Sequence, residues 1–285
     1  MSCTCRRCTI EAPSEPVAPA PDANQALICL LAHGACEFIA TLLLLMAVMG
    51  GYAFLIAPWV APGWQPFVLA GLLAGVLILI IQSPLGKLSG AHMNPAVSLA
   101  FWLERRLNTH EFLVYVLMQF GGALTACSLL ALLLNDSFAA VGYGVLQAPP
   151  GLSLERLLVF EAGATGGLVA LLFFTLSHHT LTRYTAVAVA AYLALMTVLL
   201  APLTGASFNP ARAYGAALAA HQLQGQWPYV LAPLLGAALS VFLSRFVVWL
   251  PRPRYHRLNH SHAHANYTWH VLQGWQRRWR GDAIV

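Results

Sequence analysis

Charge is what this chain has least of: only 9% of its 285 residues are Asp, Glu, Lys or Arg, against roughly 25% in an ordinary soluble domain. That shortage excludes a soluble globular protein. Cysteine is sparse too. Of the six cysteines, Cys3, Cys5 and Cys8 sit near the start and Cys29, Cys36 and Cys127 lie inside apolar segments, a distribution that argues against a disulfide framework. Residues 1–24 lack the charged-then-apolar order of a signal peptide and carry Pro13, Pro16, Pro19 and Pro21, so they read as a disordered tail. The chain shows neither a Ser-His-Asp pattern nor an in-membrane metal cluster, and it therefore reads as a non-enzyme without a cofactor. Nucleic acid is excluded as a partner because most of the basic residues lie in short loops beside apolar spans.

What is abundant is apolar residue, at 59%. Six stretches, 26–56, 65–84, 112–134, 157–176, 185–203 and 229–250, are long enough to cross a hydrocarbon core, which takes about 20 helical residues. Two further apolar runs, 94–103 and 209–219, give only about 15 Å of helix. Each is expected to enter the membrane and stop midway.

Those short runs begin alike. Ser89-Gly90-Ala91-His92-Met93-Asn94-Pro95-Ala96 returns 115 positions later as Thr204-Gly205-Ala206-Ser207-Phe208-Asn209-Pro210-Ala211, with Arg212 closing the second copy. In each, Asn is a natural cap and Pro suits the first helical position, where its missing N–H costs nothing. The repeat extends outward. Glu37-x-x-Ala40-Thr41 matches Glu161-x-x-Ala164-Thr165, and Gln119-x-x-Gly122-Ala123 matches Pro233-x-x-Gly236-Ala237. The first repeat covers about 26–135 and the second about 154–250, within a membrane domain spanning 25–252 and followed by a His-, Arg- and Trp-rich tail, 253–285. With three spans each, the halves must have opposite topologies. Arg6, Arg7, Lys87, Arg105, Arg106, Arg183 and the C-terminal arginines share one side if both termini are cytoplasmic, leaving Arg156 and Arg212 opposite. The two half-helices are then expected to meet N-terminus to N-terminus at mid-membrane.

These residues resemble the aquaporin and glycerol-facilitator family, the major intrinsic proteins, over about 26–250. The resemblance implies an all-α fold of six transmembrane helices and two re-entrant half-helices, a homotetramer in the cell membrane, and a passive pore for small neutral solutes and water. Asn94, Pro95, Ala96, Asn209, Pro210 and Ala211 form the paired pore motifs. Facing helix N-termini repel cations, each with about half an elementary positive charge, and the resemblance implies that the arrangement stops protons as well. Glu37 and Glu161 are expected to hold the loop backbones, with a proton relay, and hence proton-coupled transport, as the alternative.

By family spacing the filter falls on Ala74, twenty positions before Asn94, on Thr197 and Ala206, twelve and three before Asn209, and on Arg212, three after it. Ala74 and Thr197 replace the Phe and His usual in water channels, which suggests a wide ring suited to glycerol, urea or metalloid hydroxides such as arsenous acid. Ala213 nonetheless stands where glycerol facilitators place Asp, and Tyr52, Phe54 or Phe208 would refill the ring in a water-selective alternative. His92 matches a family histidine on the cytoplasmic side, either a neutral pore-lining group or a pH sensor. In the tails, Cys3, Cys5 and Cys8 and the group His260, His262 and His264 are candidate sites for soft metals or arsenic(III), with plain polar tail as the alternative.

Overall fold

The computed structural model describes residues 23–178, 180–246 and 253. The readings placed on Cys3, Cys5, Cys8, His260, His262 and His264 lie outside these. Among the described residues every regular element is helical. The elements are α1 (Ala23–Gly51), α2 (Gln65–Gln82), α3 (Pro84–Ser89), α4 (Pro95–Leu103), α5 (Thr109–Ala140), α6 (Leu154–Ser177), α7 (Thr185–Thr204), α8 (Pro210–Ala219) and α9 (Trp227–Ser244).

Most of the starts have a local cause. Proline occupies the first or second position of α2, α3, α4, α8 and α9. Helix α5 opens on a capping box: Glu111 N–H donates to Asn108 Oδ1 at 2.9 Å, and Asn108 N–H donates back to Glu111 Oε2 at 3.3 Å. Among the described residues six helical segments, Ala23–Ile56, Gln65–Gln82, Thr109–Ala140, Leu154–Ser177, Thr182–Thr204 and Trp227–Ser244, are long and apolar enough to span a bilayer. The described residues 30–246 belong to one compact unit.

The two halves interlock. Helix α2 packs on α7, α4 packs on α9 of the other half, and α8 packs reciprocally on α5. Close approach depends on the glycines matched in the sequence. A Cβ on Gly122 would lie 2.5 Å from the Phe38 carbonyl oxygen, and one on Gly236 would collide with the Ala162 carbonyl oxygen. Phe38 and Ala162 each follow one of the repeated glutamates, so the same contact fixes both glutamate-bearing helices.

The second apolar stretch forms the expected span as Gln65–Gln82 and ends two residues short of the boundary read from the sequence. Helix α2 stops at Gln82, Ser83 is extended (φ −70°, ψ 169°), and α3 starts afresh at Pro84. Its counterpart α7 runs unbroken to Thr204 with Pro202 inside it. The physical reason is that a residue before proline is pushed out of the helical region. Ser83 yields to this, its hydroxyl donating to Ile80 O at 2.7 Å, whereas Ala201 stays helical.

Candidate functional site

The loops before α4 and α8 follow the same path. Gly90 and Gly205 end the preceding helices in the left-handed region (φ 100° and 88°), followed by Ala91 and Ala206 (φ 55° and 52°) and by Met93 and Phe208 (φ 51° each). Positive φ in non-glycine residues is strained, by about 1–3 kcal/mol each. The glutamates hold this geometry in place. Glu37 accepts from Ser89 Oγ (2.7 Å), His92 N (3.0 Å), Met93 N (2.7 Å) and Gln119 Nε2 (2.8 Å). Glu161 accepts from Thr204 Oγ1 (2.7 Å), Ser207 N (3.1 Å) and Phe208 N (2.9 Å). Both carboxylates are fully buried. In lipid an unpaired backbone N–H costs several kcal/mol, and these bonds remove that cost.

The half-helices meet head to head. Asn94 Oδ1 accepts from Ala96 N at 2.9 Å, and Asn209 Oδ1 accepts from Ala211 N at 3.0 Å and Arg212 N at 3.3 Å. Their amide nitrogens reach across the dyad: Asn94 Nδ2 donates to Phe208 O at 2.8 Å and Asn209 Nδ2 to Met93 O at 2.7 Å. One proton of each amide is thus committed, and one remains for anything that passes.

A cavity of about 760 Å³ runs by this junction, lined by Asn94, Asn209, Thr197, Ala206, Arg212 and His92 among others. Along α2 its wall includes the stripe Gln65, Leu69, Leu73, Leu77 and Ile81. Sixteen residues separate the ends of that stripe, about 24 Å of helix, close to the thickness of a hydrocarbon core. Neither Glu37 nor Glu161 lines it.

Of the four filter positions taken from spacing, Thr197, Ala206 and Arg212 face the cavity, and Ala74 does not. Leu73 and Ala74 both pack against the same core cluster, but only Leu73 lies on the lining stripe. Counting twenty back from Asn94 crosses the break at Ser83, where helical register is lost. Thr197 spends its hydroxyl proton on Leu193 O (2.7 Å), so it offers lone pairs. Arg212 Nη1 is buried and has no hydrogen-bond partner among the described residues. Of the refilling candidates, Tyr52 and Phe208 line the cavity, whereas Phe54 is absent from its wall and 57% exposed. Ala213 lies in a small apolar cluster with Leu146, Leu157 and Tyr229.

His92 is stacked on Phe101 with ring centres 4.9 Å apart and meets the edge of Tyr115. Its Nδ1 lies 3.1 Å from Ser98 Oγ, which itself accepts from Gln119 Nε2 at 3.0 Å. Ser98 Oγ and His92 Nδ1 share one hydrogen bond, whose direction follows the imidazole tautomer. Gln119 was legible as a repeat position but not as the bridge between Glu37 and Ser98. No group of three or more His, Cys, Asp and Glu able to hold a metal occurs among the described residues.

A family model described as "Major intrinsic protein" matches residues 28–244. Nodulin-26 of Glycine max is 30% identical over 183 residues, covering 63% of this chain and 65% of that protein. Aquaporin-1 of Sus scrofa is 29% identical over 186 residues (65% and 68%), and Aquaporin NIP1-4 of Oryza sativa subsp. japonica is 30% identical over 237 residues (78% and 82%). The chain thus spans about two thirds of the length of the first two. Among solved structures, the aquaglyceroporin from Plasmodium falciparum has the same fold, with a TM-score of 0.65 and 19% identity over 77% of this chain and 97% of that one.

Proposed function

Since the chain belongs to the major intrinsic protein family, we propose that it is a passive membrane channel for small uncharged solutes and water. The observation that carries this reading is the single cavity shared by Asn94, Asn209 and Arg212, with the two half-helix N-termini meeting beside it. Positive helix ends and a guanidinium repel cations there. A neutral solute exchanges its hydration for the free protons of the two asparagine amides, the Arg212 fork and the Thr197 lone pairs, and slides along an otherwise apolar wall. The filter in this reading is Leu73, Thr197, Ala206 and Arg212. It carries one flexible aliphatic side chain where a narrow ring would carry an aromatic, which suits glycerol, urea or a neutral metalloid hydroxide.

Glu37 and Glu161 act as loop braces. Their oxygens are occupied by donors and stand off the cavity wall, which speaks against proton-coupled transport. Membrane insertion with both termini cytoplasmic follows from the positive loops. A homotetramer is proposed on family grounds, and Gly71 and Gly75, both facing open space on α2, leave a smooth surface for a neighbouring subunit.

The test is re-swelling of liposomes containing the purified protein in glycerol, urea and arsenous acid. Entry of at least one solute well above empty liposomes is expected. Water flux alone would replace the wide filter by the water-selective alternative.

A further inference from the structure

Helix α1 ends in a feature that its counterpart α6 lacks. Residues Tyr52–Ile56 form a π-helical turn, closed by Ala57 N–H donating to Tyr52 O at 2.8 Å. Matched on Glu37 and Glu161, α6 ends at Ser177 opposite Ala53, so this turn extends α1 past the end of its counterpart. An extra residue in one turn rotates what lies beside it, and such bulges recur at functional sites. Here the turn leaves Tyr52 on the cavity wall.

The tyrosine is pinned. Gln65, the first residue of α2, donates through Nε2 to Val60 O at 3.0 Å and Ala57 O at 3.4 Å. Those carbonyls fix which end of the amide is which, so Gln65 Oε1 must be the acceptor of the Tyr52 hydroxyl at 3.0 Å. Three bonds thereby tie the α1–α2 loop, Gln65 and Tyr52 into one rigid rim. With its proton given to Gln65, Tyr52 Oη presents only lone pairs to a solute. Thr197 is in the same position, and Arg212, whose guanidinium can only donate, lines the same cavity.

We propose that Tyr52, held by Gln65, is a specificity-determining residue at the α1–α2 end of the pore. It accepts a hydrogen bond from a hydroxyl of a neutral polyhydroxylated solute whose oxygens are then received by Arg212, and its ring sets the size limit. The assignment rests on the channel reading. A solute with both donors and acceptors is served by the pair, whereas one lacking donors loses the Tyr52 contact.

The experiment compares wild type, Tyr52→Phe and Tyr52→Ala in liposomes, reading glycerol and erythritol permeability as ratios to water. Tyr52→Phe is expected to lower the glycerol-to-water ratio about threefold to tenfold, the worth of one hydrogen bond. Tyr52→Ala is expected to raise erythritol entry from the empty-liposome level to a measurable one. Where Tyr52→Ala does not insert, Gln65→Leu, which frees the ring without removing it, must relax erythritol exclusion. Wild-type ratios in conducting variants overturn the Tyr52 assignment and leave the channel standing. Wild-type liposomes that match empty ones for water and both solutes overturn the channel reading, and this one with it.

Discussion

Asn94 and Asn209 each donate a hydrogen bond to the backbone of the loop that carries the other, at 2.8 Å to Phe208 O and 2.7 Å to Met93 O. The pair is therefore a structural clasp as well as part of the cavity wall.

Removing one side of the clasp is expected to weaken both. Asn94→Ala loses a helix cap and the cross-loop bond, together about 2–3 kcal/mol. Asn209→Ala should cost a similar amount, and the double variant less than the sum, because the two loops share partners. Thermal unfolding of the detergent-solubilised protein measures all three, and strict additivity would show that the loops are held independently.

The glycines at the glutamate helices make a second expectation. Gly236→Ala drives a methyl into the Ala162 carbonyl, and Gly122→Ala presses one against Phe38 O at 2.5 Å. Overpacking of this kind costs about 1–3 kcal/mol. Gly163→Ala in α6, whose Cβ meets nothing within 4 Å, should not lower the unfolding temperature and serves as the control.

Register on α2 gives a third. Leu73 lines the cavity and Ala74 does not. Leu73→Phe is expected to cut the glycerol-to-water permeability ratio by tenfold or so, by the steric logic that separates substrates by about 1–3 kcal/mol in an apolar pocket. Ala74→Ser should leave that ratio within twofold of wild type. A reversed pattern would restore the filter position inferred from spacing.

Much of this site was readable in the residues themselves, and the exceptions have physical causes. The Asn-Pro starts, the repeated glutamates and the paired glycines are fixed by local chemistry and repeat spacing, and the structure brings each pair to equivalent places. Ala74 falls off the cavity wall because counting along a helix assumes an unbroken helix, and Ser83-Pro84 breaks this one. The Ser-Pro step was itself the available signal. The π turn at Tyr52 and the bridging of Gln119 to both Glu37 and Ser98 depend on packing between distant segments, which no single stretch encodes.

A fourth expectation separates bracing from proton transfer. Glu161→Gln keeps the side-chain size but turns an amide N–H₂ toward Ser207 N or Phe208 N, both of which now donate to the carboxylate. The expected result is a lower unfolding temperature with loss of flux at every pH, read by thermal unfolding alongside permeability. A stable variant that conducts but has lost a pH dependence present in wild type would mark a proton relay instead.

The most direct measurement is stopped-flow light scattering on liposomes containing the purified full chain, with water and glycerol flux followed against the solute gradient and against an imposed proton gradient. A passive channel gives flux well above empty liposomes, linear in the solute gradient and indifferent to the proton gradient. Flux equal to empty liposomes, or uptake that saturates and follows the proton gradient, would contradict the account.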